Sequence, residues 1–281
     1  MSFALGRSDM LVVMSTETGT VFVTGASRGI GRRIAVHLAE AGRPVVAMAR
    51  PSADLANLSK QPSGRGITAV EVDVTDPAAL AAAFDAGVQA TGPPAALITC
   101  AGSVGALGPL SEVDPERWWS AVAVDLRGTM LAAQLALRWM KPAGHGRIMT
   151  VYGNLGDQGA SNLSAFAVAK AGVARLTETM ASEVAGSGIT ILGIHPGFVR
   201  TPMTEHLAFS DEGRRWLPGF AAGAEARWGA GQAALLLVDG ILAGTADGLS
   251  GRILYVGDDL EDLTVRSTED AGVRRLRLRM Q

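Results

Sequence analysis

The segment Thr24-Gly25-Ala26-Ser27-Arg28-Gly29-Ile30-Gly31 carries the sequence's clearest chemistry, which is the binding of phosphate. Glycines without a Cβ let a chain turn tightly and bring its backbone close to a pyrophosphate, while free amides at a helix N-terminus stabilise the negative charge. Such a run has this meaning where a strand leads into it and a helix follows. Metal chemistry is not expected. Cys100 is the single cysteine, which also rules out an internal disulfide, and His37, His145, His195 and His206 are scattered without ligand spacing.

The elements around the glycine run supply the required context. From Thr20 onward, short β-rich apolar runs alternate with longer Ala-rich stretches, as strand-helix units around a parallel sheet do. Strands are predicted near Val21 to Thr24, Pro44 to Ala49, Ile67 to Val72, Ala96 to Thr99, Arg147 to Val151, Thr190 to His195 and Arg252 to Val256. Helices are predicted at Gly29 to Ala41, Pro77 to Ala90, Pro115 to Lys141, Ala165 to Ala185 and Ala224 to Leu242. The fold class is therefore α/β: a Rossmann-like, doubly wound parallel sheet in one domain spanning residues 19–259. Thr201 to Gly223, with Phe209, Trp216, Leu217 and Phe220 among Gly, Pro and charges, reads as a long functional loop suited to a substrate.

The two ends fall outside this pattern. Residues 1–18 read as a flexible leader without the features of a secretory signal. Residues 260–281 form a C-terminal extension in which Leu276, Leu278 and Met280 alternate with arginines, consistent with an edge strand, a subunit contact or a disordered basic tail. The chain has 281 residues, 48% of them hydrophobic, and a formal net charge of −2, so a generally basic nucleic-acid binder is not expected. No apolar run approaches the roughly 20 residues a membrane span needs, and a cytoplasmic protein follows by default.

The glycine segment resembles that of the short-chain dehydrogenase/reductase family, and further family motifs follow in order over residues 20–257. Asp73-Val74 is similar to the acidic pair that flanks adenine, and Cys100-Ala101-Gly102 to the family's Asn-Ala-Gly with its first residue changed. Pro196-Gly197-Phe198-Val199-Arg200-Thr201 is similar to the segment whose Val and Thr hold the nicotinamide carboxamide. The resemblance implies a nicotinamide cofactor touching Gly25, Ser27, Arg28, Gly29, Ile30, Gly31, Asp73, Val74, Cys100, Ala101, Gly102, Lys170, Pro196, Gly197, Val199 and Thr201. Arg50 ends the second strand where NAD-binding sites often place a carboxylate, and Arg28 lies in the glycine turn, which favours NADPH over NADH. The alternative reading of both is exposed surface arginine. The resemblance also implies a homo-oligomer formed through the helices from Pro115 and Ala165.

What the resemblance does not supply is the acid. Family members carry a Tyr four residues before a Lys, a Ser thirteen residues before that Tyr, and an Asn on an earlier helix. Here Lys170 matches as the cofactor-orienting residue, while Phe166, Gly153 and Asp125 stand at the other three positions. Residues four beyond the two tyrosines, Tyr152 and Tyr255, are Gly156 and Asp259, so no Tyr-x-x-x-Lys pattern exists in any register. A positioned general acid contributes about 10²- to 10⁴-fold in rate. Orientation of hydride donor and carbonyl contributes through a separate effect, so a reductase survives this loss if its substrate brings the proton.

A polycyclic aromatic ketone flanked by a phenol would do so, and Ser103, Gly153, Phe166, Phe209 and Trp216 are the candidate substrate contacts. The alternative reading of Ser103 is a turn-forming serine, Tyr152 is a replacement acid or a core residue, and Asp125 a proton carrier or a local hydrogen-bond acceptor. The sequence-level alternative to a ketoreductase is a non-catalytic dinucleotide-binding sensor or an inactive partner subunit.

Overall fold

The computed structural model describes residues 19–60, 64–153 and 159–269. All seven expected strands form within two residues of their expected ends: β1 (Thr20–Thr24), β2 (Val45–Ala49), β3 (Ile67–Glu71), β4 (Pro94–Thr99), β5 (Gly146–Val151), β6 (Ile189–His195) and β7 (Ile253–Tyr255). They pair in parallel in the order β3-β2-β1-β4-β5-β6-β7. This order reverses direction between β1 and β4, and in open α/β sheets the crevice beyond the strand ends at such a point is where ligands bind. The glycine run leaves β1 at that place, and Cys100-Ala101-Gly102 leaves β4 beside it.

The strand residues divide by alternation, because successive side chains point to opposite faces. Val21, Val23, Val45, Ala47, Ile98, Met149 and Leu192 enter one core with Ile34 and Leu38 of α1 (Gly29–Glu40) and Leu237 and Ile241 of α10 (Gly231–Leu242). Phe22, Val46, Met48, Leu97, Ile148 and Ile191 enter the other with Leu80 and Phe84 of α3 (Pro77–Thr91), Ala132 and Ala136 of α5 (Gly128–Ala143), and Met180 of α6 (Ser164–Glu183). Across the first face, His37 of α1 meets Asp239 of α10 at 2.8 Å.

Several expectations are corrected. The single helix expected from Pro115 to Lys141 is α4 (Pro115–Val122), a π-helical turn (Ala123–Arg127) and then α5. Such wide turns in a helix often mark functional sites, and this one holds Asp125. The stretch from Thr201 to Gly223 is not an irregular loop. It forms α7 (Pro202–Phe209), α8 (Asp211–Trp216) and the start of α9 (Phe220–Arg227). The reason is local: Thr201 and Thr204 make a reciprocal capping box, Pro202 opens α7, and the Ser210 hydroxyl accepts from the Gly213 N–H to cap α8.

Two short helices were not expected. The Ser52 hydroxyl caps α2 (Ala53–Leu58), and α11 (Leu260–Glu269) brings Leu263 into the first core, carrying the packed domain past residue 259. The leader at residues 1–18 and the alternation at Leu276, Leu278 and Met280 lie outside the described residues. Among the described residues, no helix is long and apolar enough to cross a membrane.

Candidate active site

The cradle at the β1–β4 switch is built from close backbone approaches. Gly25 has φ +67°, and a Cβ there would lie 2.6 Å from the Ala101 nitrogen, so residue 25 must be glycine for the two strand ends to meet. A Cβ on Gly31 would fall 2.5 Å from the Gly25 carbonyl oxygen and 3.0 Å from Cys100 Cβ, which lets α1 start directly against the turn. The Ala101 N–H donates to Thr24 Oγ1 at 3.3 Å and ties the two ends together. No side chain caps the start of α1, leaving its first amides for an anion.

At the cradle's rim, Thr201 at the head of α7 packs over Gly29, whose notional Cβ would lie 3.4 Å from Thr201 Cγ2. Gly197, with φ +70°, brings the end of β6 against Ala230 and Val256, and Val199 is buried. Asp73 Oδ1, beyond β3, accepts from the Thr75 N–H at 2.9 Å and from its hydroxyl at 2.7 Å. The backbone donor holds the Asp73 carboxyl below its usual range against the opposing effect of burial, with the Thr75 hydroxyl and the Arg50 charge helping. Val74 packs against Gly128 at the start of α5. Arg28 and Arg50 are exposed near the cradle and have no ion-pair partner among the described residues. The shape and the donor set suit a dinucleotide pyrophosphate with cations to spare.

On the far side of β4, α6 places Phe166 and Lys170 one turn apart. The Lys170 ammonium donates to the Val151 carbonyl at 3.1 Å, lies 3.1 Å from Asp125 Oδ2, and sits 5.4 Å from the centre of the Phe166 ring. Asp125 is fully buried, and its Oδ1 accepts from the Ser103 N–H at 2.6 Å. Burial pushes the Asp125 carboxyl up, opposed by the Lys170 charge and by hydrogen bonds from Ser103 and Lys170. Burial likewise pushes the Cys100 thiol up to about 12, so it stays protonated at neutral pH and is no nucleophile.

Gly153 at the end of β5 faces the same place, since a Cβ on it would lie 3.5 Å from the Phe166 ring and 3.8 Å from Lys170 Cγ. The structure therefore brings Gly153, Phe166, Lys170 and Asp125 into one site.

The remaining candidates divide. Trp216 joins Val104, Leu107, Leu163 and Leu207 in an apolar cluster that includes Phe166 and forms one wall of the site. Phe209 packs edge-on against Trp228 and is 38% exposed. Ser103 forms a turn in which its hydroxyl accepts from the Gly105 N–H at 3.2 Å. Tyr152 is 2% exposed and lies in a small cluster with Ala174 and Ile253.

Sequence reasoning missed Asn162, whose left-handed backbone (φ +66°) lets Nδ2 donate to the Trp216 carbonyl at 2.9 Å and pin the end of α8. An Asn in a turn was the available signal. It also missed that Asp125 and Lys170, 45 positions apart, would pair.

A parallel sheet in this order with a glycine cradle at its switch point defines a dinucleotide-binding α/β protein. The family profile described as short chain dehydrogenase matches residues 19–211, and the chain belongs to that family of oxidoreductases. Among curated relatives, cis-4-hydroxycyclohexanecarboxylate dehydrogenase of Sinomonas cyclohexanicum is 38% identical over 187 residues, covering 66% of this chain and 75% of that protein. The short-chain reductase protein NovJ of Streptomyces niveus is 32% identical over 198 residues, covering 70% of this chain and 75% of its own. A solved structure of an actinorhodin polyketide ketoreductase variant with NADPH superposes with a TM-score of 0.77 at 26% identity, covering 85% of this chain and 95% of that one.

Proposed function

We propose that this chain is an NADPH-dependent ketoreductase. In this reading it reduces a carbonyl of an aromatic polyketide of angucyclinone type in antibiotic biosynthesis, with the proton supplied by a phenol on the substrate. The carrying observation is the composition of one site: Lys170 is held beside a dinucleotide cradle, while Phe166 and Gly153 present no hydroxyl to a carbonyl. The likeness to an actinorhodin polyketide ketoreductase supports the substrate class. The loss of the Ser-Tyr pair is similar to that of the angucyclinone ketoreductase of simocyclinone biosynthesis.

In this reading, Gly25 to Gly31 and the start of α1 hold the pyrophosphate, and Arg28 and Arg50 hold the additional phosphate that distinguishes NADPH. Val199 and Thr201 hold the carboxamide, and Lys170 the ribose. When bound, NADPH supplies the hydride. Phe166 offers a flat apolar surface without a proton, and Trp216 and Leu207 continue it, which suits a polycycle. A phenol beside the ketone polarises the carbonyl through its internal hydrogen bond and protonates the forming alkoxide. The about 10²- to 10⁴-fold contribution of a protein acid is then not required.

The test follows loss of NADPH absorbance with purified protein and aromatic ketones, each offered with a free adjacent phenol and as its methyl ether. Turnover of the free phenols and not of the ethers is the expected result. Equal turnover of both refutes the substrate's role as acid, and NADPH binding without turnover on either refutes the ketoreductase reading in favour of a dinucleotide sensor or inactive subunit.

A further inference from the structure

Among the described residues, the buried carboxylate is Asp125 and the buried ammonium is that of Lys170. They face each other at 3.1 Å. Their surroundings leave little freedom: Ser103 donates to one carboxylate oxygen, Val151 accepts from the ammonium, and the notional Cβ of Gly102 lies 3.4 Å from both carboxylate oxygens. The Thr129 hydroxyl donates to the Asp125 carbonyl at 2.6 Å and fixes the π-helical turn that carries the carboxylate. Taking an ammonium out of water is costly unless a fixed opposite charge meets it, and a carboxylate held this way meets that need.

We propose that Asp125 is a positioning residue: it locks the Lys170 ammonium against the ends of β4 and β5 and cancels its charge, so that Lys170 orients a bound cofactor but does not acidify a proton donor at position 166. The proposal rests on the ketoreductase reading for its meaning, but its test uses no substrate and no turnover.

Among the described residues, the charged and titratable groups facing position 166 and Lys170 are few. Asp125 comes from the π-helical turn, Lys170 from α6 and the Cys100 thiol from the end of β4. β5 contributes the Val151 carbonyl, and the α7–α8 side contributes the apolar Met203, Leu207 and Trp216. A phenol introduced at 166 therefore reports the net charge of the Lys170–Asp125 pair. Charges this close move titrations by roughly 1–3 pH units.

The experiment compares Phe166→Tyr in the parent chain and together with Asp125→Asn. Tyrosinate absorbance is followed against pH, with the parent protein subtracting Tyr152 and Tyr255. The expected result is that the introduced phenol loses its proton at least about one pH unit lower when Asp125→Asn is present, because Lys170 is then uncompensated. The same titration in both backgrounds overturns the proposal.

A second measurement needs no substitution and covers the case in which Asp125→Asn fails to fold. The chain's lysines are Lys60, Lys141 and Lys170, of which the first two are exposed, so ¹⁵N-lysine labelling gives a resolvable ammonium spectrum. One ammonium protected from exchange with water is expected, and its shift should follow the titration of a single carboxylate. A protected ammonium without that step, or three ammonium groups exchanging alike, overturns the proposal. Failure of the phenol and methyl ether comparison would leave these readouts unchanged, so the two readings stand or fall separately.

Discussion

Replacing Lys170 by Met keeps the aliphatic stem and removes the ammonium from a carboxylate with no exposure to solvent. Breaking a buried pair by deleting one partner costs about 3–5 kcal/mol, because the remaining charge is left uncompensated. Here Asp125 would retain the Ser103 N–H and little else, so the full range applies. For a chain of this size, each kcal/mol moves the melting temperature by about 2–4 °C, giving an expected loss of roughly 6–20 °C for Lys170→Met at neutral pH.

Two further signatures are expected. First, Lys170→Met with Asp125→Asn should be more stable than Lys170→Met alone, since the second change removes the stranded charge. Second, the deficit should shrink in acid. Burial already holds the Asp125 carboxyl above its ordinary range, and deleting Lys170 removes the main opposing influence. A group whose folded-state pKa lies above its unfolded value contributes stability below the unfolded value and loses it as pH rises through the folded one. Urea unfolding of the parent, both single variants and the double variant, in acid and at neutral pH, measures both signatures. Single-variant losses that add to within about 0.5 kcal/mol, with a deficit independent of pH, would refute the pairing argument.

The cradle and the loop at Asp73 give two more expectations. Gly42 and Gly25 both have positive φ, but a Cβ at Gly42 meets nothing within 4 Å whereas one at Gly25 strikes the Ala101 backbone at 2.6 Å. Gly42→Ala should cost about 1–2 kcal/mol, and Gly25→Ala about 1–3 kcal/mol more. Gly25→Ala should also weaken binding of a nicotinamide dinucleotide, and equal melting temperatures and affinities for the two would refute the close approach. Asp73→Asn should cost about 1 kcal/mol at neutral pH. The Asp73 carboxyl is held low, so it contributes stability above its unfolded pKa and loses it as pH falls through the folded one. The variant should therefore converge with the parent in acid, and a constant gap in urea unfolding would contradict this.

The sheet was readable because its signal is local. Runs such as Val21 to Thr24 and Ile67 to Val72 announce strands by composition, and their alternation dictates two cores before any contact is known. The glycine run was readable because its neighbours supplied its context. The helices at α7 and α8 were not, because Gly, Pro and aromatics suggested a loop while the capping threonines and Ser210 carried the opposing signal. The break in the helix from Pro115 was hidden for a different reason. Its π-helical turn follows no local preference in Ala123 to Arg127, and what it achieves is the delivery of Asp125 to a partner 45 positions away.

That delivery joins the two halves of the site. Gly25 touches Ala101, the Ala101 N–H binds Thr24, and two residues on the Ser103 N–H binds Asp125. Asp125 then meets Lys170, and Lys170 reaches Val151 beside Gly153. Every contact in this series involves a strand end or the helix that covers it, so the geometry of the cradle and that of the lysine are not independent. A carboxyamide at residue 125 could still accept from Ser103, which would keep the cradle in register while releasing the ammonium. A methyl group there would do neither. Asp125→Ala should therefore weaken binding of a nicotinamide dinucleotide more than Asp125→Asn does. If isothermal titration gave the two variants equal affinity, the Ser103 contact would have no part in cofactor binding and the cradle would stand on the glycines alone.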